Sequence, residues 1–147
     1  ACQRRQGLKG IKRLLRFFRI KIASMKLYGI PNCDTVRKAR AYLSDKEITY
    51  DFHDYKVEGI TSEKIKEWLT QVPLDKLFNK ASTSWRELTE KQKASASSKV
   101  NAIKLMVKSP TIIKRPVLED DGGKVLAVGF KKEVYDGVMG NGLNNER

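Results

Sequence analysis

The chain has 147 residues, of which 40% are hydrophobic and 32% charged, and this suits one soluble domain with its own core. No run of 18 apolar residues occurs, so the composition excludes a transmembrane helix. The formal net charge is +13, but eight of the basic residues and no acidic residue fall in residues 1–24. Residues 25–147 therefore carry only +5, and this ordinary value does not predict nucleic-acid binding.

Residues 1–24 read as a basic extension of the domain. Apolar residues recur there at three- and four-residue spacing between lysines and arginines, which is the pattern of an amphipathic helix. These apolar residues are Leu8, Ile11, Leu15, Phe18 and Ile22. Three interpretations stay open: upstream or non-native sequence, a membrane-surface anchor, or an Arg-rich targeting peptide. We favour the first, because Met25 stands directly before a strand, and we expect membrane contact only if the segment is native.

The domain opens with a strand–helix–strand pattern. Residues 26–30 predict a strand, residues 31–32 a turn, and residues 34–43 a helix that Asn32 or Cys33 caps. Residues 48–52 alternate as a second strand does. Because a helix connects the two strands, they are expected to be parallel.

Helical patterns fill the middle of the chain. A helix is predicted from Thr61 to about residue 71, followed by a short helical turn over residues 74–79. Thr89 and Gln92 have the spacing of a capping box, and a single helix is predicted from there to about residue 108.

The chain then returns to the sheet. Residues 117–119 and 124–128 predict a hairpin around the Asp121-Gly122 turn. A last helix is predicted over residues 131–138, and residues 139–147 read as a flexible tail.

Together these elements predict an α/β domain of thioredoxin-like fold over residues 25–138. Its two halves are βαβ and ββα, they share a mixed four-stranded sheet, and a helical insertion separates them.

Cys33 is the strongest candidate for a catalytic residue. It opens a helix, where unpaired backbone N–H groups and the helix dipole favour the nucleophilic thiolate over the thiol. Arg37 lies about one helical turn further on, within reach of the sulfur. The alternative, an inert buried cysteine, is uncommon at such a turn. The other cysteine, Cys2, lies in the basic extension.

The cysteine usage also bears on compartment and metal content. The chain has no Cys-x-x-Cys motif and no His/Cys cluster with metal-ligand spacing, so no bound metal is expected. One functional thiol without a disulfide framework favours a reducing cytoplasm.

Arg115-Pro116 is the second candidate, because it stands just before the strand at 117–119. In a thioredoxin-like fold a cis-proline at this point faces the active cysteine, so we predict a cis bond there, with Pro116 close to Cys33. Arg115 would then hold an anion near the sulfur, and the alternative is a solvated surface charge. His53, the single histidine, is expected to be a packing or surface residue. The polar stretch 79–86 either edges a substrate cleft or is a plain connecting loop.

Several separate segments resemble the ArsC/Spx family, in particular its YffB-like branch. In chain order they are Leu27–Ala39, Phe52–Tyr55, Asn79-Lys80 with Thr83–Arg86, Ala102–Met106, Ile112–Leu118 and Val128–Phe130. The resemblance covers about residues 25–138 and does not reach residues 1–24.

The resemblance implies a thioredoxin-like domain with one catalytic cysteine, which is Cys33, and with glutathione and glutaredoxin as reductants. Of the arginines that surround the oxyanion in the family's arsenate reductases, Arg115 is present. The others fall near Asp75 and Phe130, which cannot replace them. The Spx-type regulators, which bind RNA polymerase, often have Cys-x-x-Cys, and Val36 occupies its second position here.

These observations predict a glutathione-dependent thiol oxidoreductase that acts through the Cys33 thiolate, with substrate-binding roles for Asn32, Arg37, Arg115 and Pro116. The alternatives are a true arsenate reductase and a Spx-like module that binds RNA polymerase. We expect no bound cofactor, with glutathione as co-substrate and glutaredoxin as a further candidate partner. We expect no nucleic-acid partner, a monomer and a cytoplasmic location.

Overall fold

The computed structural model describes residues 25–142, with side chains as far as residue 140. The expectations for residues 1–24, and for the tail beyond residue 142, lie outside the described residues. The strands are β1 (Met25–Gly29), β2 (Tyr50–Asp54), β3 (Val117–Glu119) and β4 (Val125–Val128). The helices are α1 (Asp34–Asp45), α2 (Tyr55–Glu58), α3 (Ser62–Gln71), α4 (Leu74–Leu77), α5 (Thr83–Arg86), α6 (Glu90–Ser95), α7 (Lys99–Lys108) and α8 (Lys132–Gly142), with a 3₁₀ turn at Pro110–Ile112.

The four strands form one mixed sheet in the order β2-β1-β3-β4. β1 runs parallel to β2, as the βαβ pattern predicts, and antiparallel to β3, which pairs antiparallel with β4. Leu27 on β1 lies between Phe52 on β2 and Leu118 on β3. This arrangement, with helices α2 to α7 between the two halves, confirms the predicted thioredoxin-like fold.

The sheet separates two buried clusters, because successive strand residues point to opposite faces. Leu27 and Leu118 pack on one face with residues of α1 and α8. Tyr28 and Val117, their neighbours in sequence, pack on the other face with the inserted helices. The insertion therefore builds its own half of the core.

A buried carboxylate joins the insertion to the sheet. Glu119 at the end of β3 is almost completely buried. Its carboxylate accepts hydrogen bonds from Lys64 Nζ at 2.9 Å and Trp68 Nε1 at 2.7 Å, both on α3. Burial, together with the neighbouring Glu119 carboxylate, raises the pKa of Tyr28 to about 12. The charge of Glu119 is thus paired and hydrogen-bonded, as a buried carboxylate must be.

The single helix predicted from Thr89 to residue 108 is wrong, since the structure has two helices there. The capping box of Thr89 and Gln92 is confirmed and starts α6, which ends at Ser95. Ser97 Oγ then donates to the Ala94 carbonyl at 2.8 Å, and Asn101 Nδ2 donates to Ser95 Oγ at 2.9 Å. Such side-chain hydrogen bonds offer the backbone an alternative to the helix and interrupt it.

Two other boundaries differ from the prediction. The second strand spans Tyr50–Asp54, two residues later than the alternation indicates. The last helix continues to Gly142, so the predicted flexible tail 139–147 begins as helix. Packing against α1 supports this helix, since Tyr42 donates a hydrogen bond to Asp136 and its ring meets Tyr135 edge-on.

Candidate functional site

The turn between β1 and α1 presents Cys33 at the start of a helix. Cys33 is the N-cap of α1, with extended backbone angles and no hydrogen bond from its side chain to the helix. Its backbone N–H donates to the Ile30 carbonyl at 3.2 Å, and its carbonyl accepts from the Arg37 N–H at 2.9 Å. The half-buried thiol therefore lies beside the N–H groups of the first helical turn, which have no partner within the helix.

Close packing holds this turn in place. A Cβ atom on Gly29, the last residue of β1, would lie 2.8 Å from Cγ2 of Val36 in the first turn of α1. Only glycine permits this approach of strand and helix, and Cys33 lies in the loop that the contact closes. Val36 itself is completely buried, so the position of a second cysteine in a Cys-x-x-Cys motif holds a core side chain.

Cys33 lies at a cleft of about 800 Å³. One wall is β4 together with the residues that follow it, from Val125 to Lys131, and the other is the segment from Gln71 to Asn79. Four basic side chains line this cleft: Lys76, Lys114, Arg115 and Lys131. No Asp or Glu is among its lining residues in the described part of the chain.

None of these four cations has an ion-pair partner within residues 25–140. Lysines elsewhere in the molecule do have such partners, for example Lys64 with Glu119 and Lys93 with Glu90. A concave surface lined by one sign of charge concentrates the field and attracts the opposite sign. The cleft is therefore suited to an anionic ligand.

Arg115 and Cys33 both line this cleft. The Arg115-Pro116 bond is cis, which confirms the prediction of a cis bond. The Pro116 carbonyl accepts from the Gly129 N–H at 2.7 Å, which ties this loop to the end of β4. Pro116 is buried and Asn32 is exposed, and neither lines the cleft.

Arg37 does not line the cleft either. Its guanidinium pairs with Asp34 at 2.9 Å in the first turn of α1, and its side chain is 64% exposed. The sequence places this guanidinium within reach of the sulfur, and in the structure it pairs with the Asp34 carboxylate. Its role in substrate binding stays a prediction.

His53 has the packing role expected for it. Its Nε2 lies 2.7 Å from the Gly59 carbonyl, its Nδ1 lies 3.2 Å from Glu58, and its ring meets Tyr28 at 4.7 Å. Within the stretch 79–86, Asn79 is the residue that lines the cleft.

The resemblance to arsenate reductases implies two further clamp arginines, near Phe130 and Asp75. In the structure these two residues lie in different places. Phe130 lines the cleft, and its ring packs against Tyr135 and Tyr42 at 4.8 and 5.9 Å. Asp75 is exposed on α4 and faces a separate small pocket beside Phe78.

Sequence reasoning missed three lysines of the cleft. Lys114 and Lys131 stand directly beside Arg115 and Phe130, so adjacency to residues already singled out was the available signal. Lys76 likewise stands beside Asp75, although its place in the cleft depends on the packing of α4.

Over residues 25–140, no group of three or more His, Cys, Asp or Glu side chains is arranged to hold a metal ion. Within the described chain no helix is long and apolar enough to cross a membrane.

Comparison with known proteins defines the class. The ArsC family model matches residues 28–138, so the chain belongs to the ArsC family. A solved structure titled YffB (PA3664) protein is 43% identical, superposes with a TM-score of 0.73 and covers 79% of this chain and 99% of its own. An arsenate reductase (ArsC) related protein from Brucella melitensis is 44% identical with a TM-score of 0.63, over 79% of this chain and 94% of its own.

Relatives known from sequence include an uncharacterized protein and a transcriptional regulator. An uncharacterized protein of Haemophilus influenzae is 43% identical over 113 residues, which is 77% of this chain and 96% of the relative. The global transcriptional regulator Spx of Listeria innocua is 28% identical over 109 residues, which is 73% of this chain and 80% of the regulator. The chain is therefore a member of the ArsC/Spx family in its YffB-like branch, and the family includes both reductases and regulators.

Proposed function

We propose that this protein is a glutathione-dependent thiol oxidoreductase, with Cys33 as its single nucleophile. One observation carries the proposal: half-buried Cys33, the N-cap residue of α1, lines a cleft together with four cations that have no ion-pair partner among residues 25–140. Glutathione carries carboxylates, and such a cleft attracts them. Because the chemistry draws on reduced glutathione, the proposal includes a reducing cytoplasm.

The proposed reaction consists of two thiol–disulfide exchanges. In the first, the Cys33 thiolate attacks a disulfide sulfur, one S–S bond forms as another breaks, and the leaving thiolate takes up a proton. In the second, the thiolate of glutathione attacks the disulfide now held on Cys33 and releases the enzyme thiolate. Cys33 is the one cysteine among the described residues, so the resolving thiol comes from solution.

Arg115 is proposed to orient the substrate. Its guanidinium is half-buried in the cleft, and a guanidinium binds a carboxylate through paired, charge-assisted hydrogen bonds. Asn32, Pro116 and Arg37 are proposed to take part in substrate binding beside the cleft. Asn32 belongs to the turn before Cys33, and Pro116 follows Arg115 in the chain. Glutaredoxin is the further partner that the family resemblance suggests.

Mass spectrometry of the full chain after treatment with oxidised glutathione tests the proposal. We expect one glutathione adduct on Cys33, which added reduced glutathione removes. Cys33→Ser should lose the adduct, and Cys2→Ser should retain it. An unmodified Cys33 would reject the proposal.

The Spx relatives support a second candidate, a module that binds RNA polymerase. The 28% identity over 109 residues to a transcriptional regulator is the observation in its favour. This candidate predicts that a pull-down with purified RNA polymerase retains the chain and its Cys33→Ser variant equally. The oxidoreductase proposal predicts no retention.

A further inference from the structure

The outer edge of β4 forms a wall of the cleft. β4 is the last strand of the sheet, and in the described part of the chain no other strand pairs with its outer edge. The cleft continues past β4 along Gly129, Phe130 and Lys131, and Cys33 also lines it. An open strand edge offers backbone donors and acceptors to an incoming extended chain.

One end of this edge is already occupied by a side chain. The Gln71 carboxamide accepts a hydrogen bond from the Val125 N–H at 2.8 Å and donates one to the Gly123 carbonyl at 2.9 Å. It thus binds the backbone much as a neighbouring strand would, at the end beside the hairpin turn. The edge from Leu126 to Val128 lies beyond this cap, toward Gly129.

The hydrogen bonds between β3 and β4 determine the direction in which the peptide groups of β4 point. The Gly129 N–H points toward β3, because it donates to the Pro116 carbonyl. Peptide groups alternate sides along an antiparallel strand, so the N–H and carbonyl of Val128 point away from β3, to the side of the cleft. Val128 is therefore placed to pair with an added strand.

The length of the cleft wall suits an extended chain segment. The four residues of β4 span roughly 13 Å. The cleft also includes Gly129 to Lys131 and Cys33, which lengthens this wall. The four unpaired cations and the absence of lining carboxylates among the described residues select for a negatively charged ligand.

We propose that the cleft binds an extended acidic segment of a protein substrate as an added strand beside β4. The substrate is a mixed disulfide between glutathione and a cysteine of that segment. The inference rests on the proposed thiol exchange and adds the substrate class. Lys76 and Lys114 are specificity-determining residues that contact the acidic side chains of the segment, whereas Cys33 performs the exchange.

The reaction balances without a further oxidant. The Cys33 thiolate attacks the glutathione sulfur, the bond between this sulfur and the substrate cysteine breaks, and the substrate leaves as a thiolate that is protonated. A second glutathione thiolate then attacks the glutathione sulfur on Cys33, which yields oxidised glutathione and restores the enzyme thiolate. The substrate is reduced by two electrons, and two glutathione sulfurs are joined.

The first test compares two seven-residue peptides, each with a central glutathionylated cysteine, flanked by glutamates in one and by lysines in the other. With the full chain at low salt we expect kcat/KM to be at least tenfold higher for the glutamate peptide. The difference should shrink as ionic strength rises, because the cations are largely exposed. Equal kcat/KM for the two peptides would overturn the inference.

Matched variants locate the effect. Lys76→Glu should lower the preference for the glutamate peptide at least fivefold, whereas Lys108→Glu, an exposed lysine outside the cleft, should leave it unchanged. The mixed disulfide of glutathione and 2-mercaptoethanol serves as a small reference substrate. No turnover of any disulfide would reject the proposed function itself. Turnover of the reference without a peptide preference would reject only the present inference.

Strand addition makes a separate prediction about the peptide backbone. N-methylation of alternate peptide amides in one register should lower kcat/KM at least fivefold, because those N–H groups face β4, while the other register should change it little. With Cys33→Ser and the unoxidised glutamate peptide, the backbone amide resonances of Leu126 to Gly129 should shift in NMR spectra. An equal response of the two registers, or no shift at these amides, would overturn strand addition.

Discussion

The cleft at Cys33 and a second lysine-lined depression differ in what else they contain. The cleft at Cys33 combines its cations with a thiol at a helix N-terminus and an open strand edge. The second depression, a groove of about 380 Å³ between α6 and α7, is lined by three lysines and also has no carboxylate among its described lining residues. These lysines are Lys91, Lys104 and Lys108. The groove has no cysteine among its described lining residues, so positive charge alone does not define the functional site.

The largest expected effect is on the rate of thiol–disulfide exchange, which should depend on the cleft and not on the groove. Cys33→Ser should abolish measurable thiol–disulfide exchange, because it removes the single nucleophile of the described chain. Lys104→Glu in the groove should leave exchange unchanged. The measurement is the rate of reduction of the glutathione–mercaptoethanol disulfide, with Cys2→Ser as the matched cysteine control. Exchange that persists in Cys33→Ser but disappears in Cys2→Ser would place the chemistry in the N-terminal extension.

Arg115→Ala should produce the next largest effect. A hydrogen bond to a charged group contributes about 1.5–3 kcal/mol, so we expect kcat/KM for the glutathione mixed disulfide to fall by at least about tenfold. Alkylation of Cys33 by iodoacetamide at pH 6 should also slow, since a positive charge in the cleft is lost. Lys104→Ala is the control of equal charge change. If the two variants behave alike, the cleft cations act only through the overall charge.

Gly29→Ala tests the close packing of β1 against α1 near Cys33. This test concerns the cleft and not the groove. The added Cβ would lie 2.8 Å from Val36 Cγ2, so the free energy of unfolding should fall by about 1–3 kcal/mol. Gly137→Ala is the matched control, because a Cβ there meets nothing within 4 Å and the residue lies inside α8. That variant should gain about 0.5–1 kcal/mol. Equal stability of the two variants in urea unfolding would show that β1 and α1 separate easily.

The loss of stability at alkaline pH should come from tyrosines of the core, and not from residues of the cleft or the groove. Burial and the Glu119 carboxylate raise the pKa of Tyr28 to about 12, above its ordinary value near 10. The folded state therefore holds this proton more tightly than the unfolded state, and stability is full below pH 10 and is lost as pH rises toward 12. We expect Tyr28 to account for a loss of about 1–2 kcal/mol.

Tyr28→Phe should remove that part of the loss when the free energy of unfolding is measured at pH 9 and pH 11.5. Tyr42 contributes in the same direction, because its hydrogen bond to Asp136 and its burial raise its pKa to about 12. Tyr42→Phe should thus flatten the curve independently. A curve that stays equally steep in both variants would assign the alkaline loss to the lysines instead.

The parts that the sequence predicted well are those with local causes. The βαβ start and the position of Cys33 follow from strand alternation, a turn and a helix N-terminus, which involve neighbouring residues only. The cis bond at Arg115-Pro116 is the exception, because it followed from the fold context.

The parts that the sequence did not predict depend on competition between contacts. Asp34 pairs with the guanidinium of Arg37, and the serines after Ala94 interrupt a helix that apolar spacing would continue. Lys76 enters the cleft through the packing of α4, which no periodicity in the sequence reveals.

The smallest expected effect is the turnover of arsenate. The resemblance to arsenate reductases implies a clamp arginine near Phe130, and the Phe130 ring lines the cleft while packing on Tyr135 and Tyr42. The lysines that remain are exposed, and as hydrated point charges they do not replace the paired hydrogen bonds of a guanidinium to an oxyanion. A multiply charged oxyanion therefore gains too little in this cleft to offset its loss of hydration.

Arsenate should consequently add less than about a tenth to the rate of NADPH oxidation in an assay coupled through glutathione, glutaredoxin and glutathione reductase. The same preparation should reduce the glutathione–mercaptoethanol disulfide readily, which controls for an inactive sample. Asp75→Arg should not raise arsenate turnover, because residue 75 faces away from the cleft toward a separate pocket. Strong turnover by the unmodified chain would mean that Arg115 and the cleft lysines together suffice to bind the oxyanion. Lys76→Ala and Lys114→Ala would then lower arsenate turnover and disulfide exchange by the same factor, because both substrates would depend on the same cations.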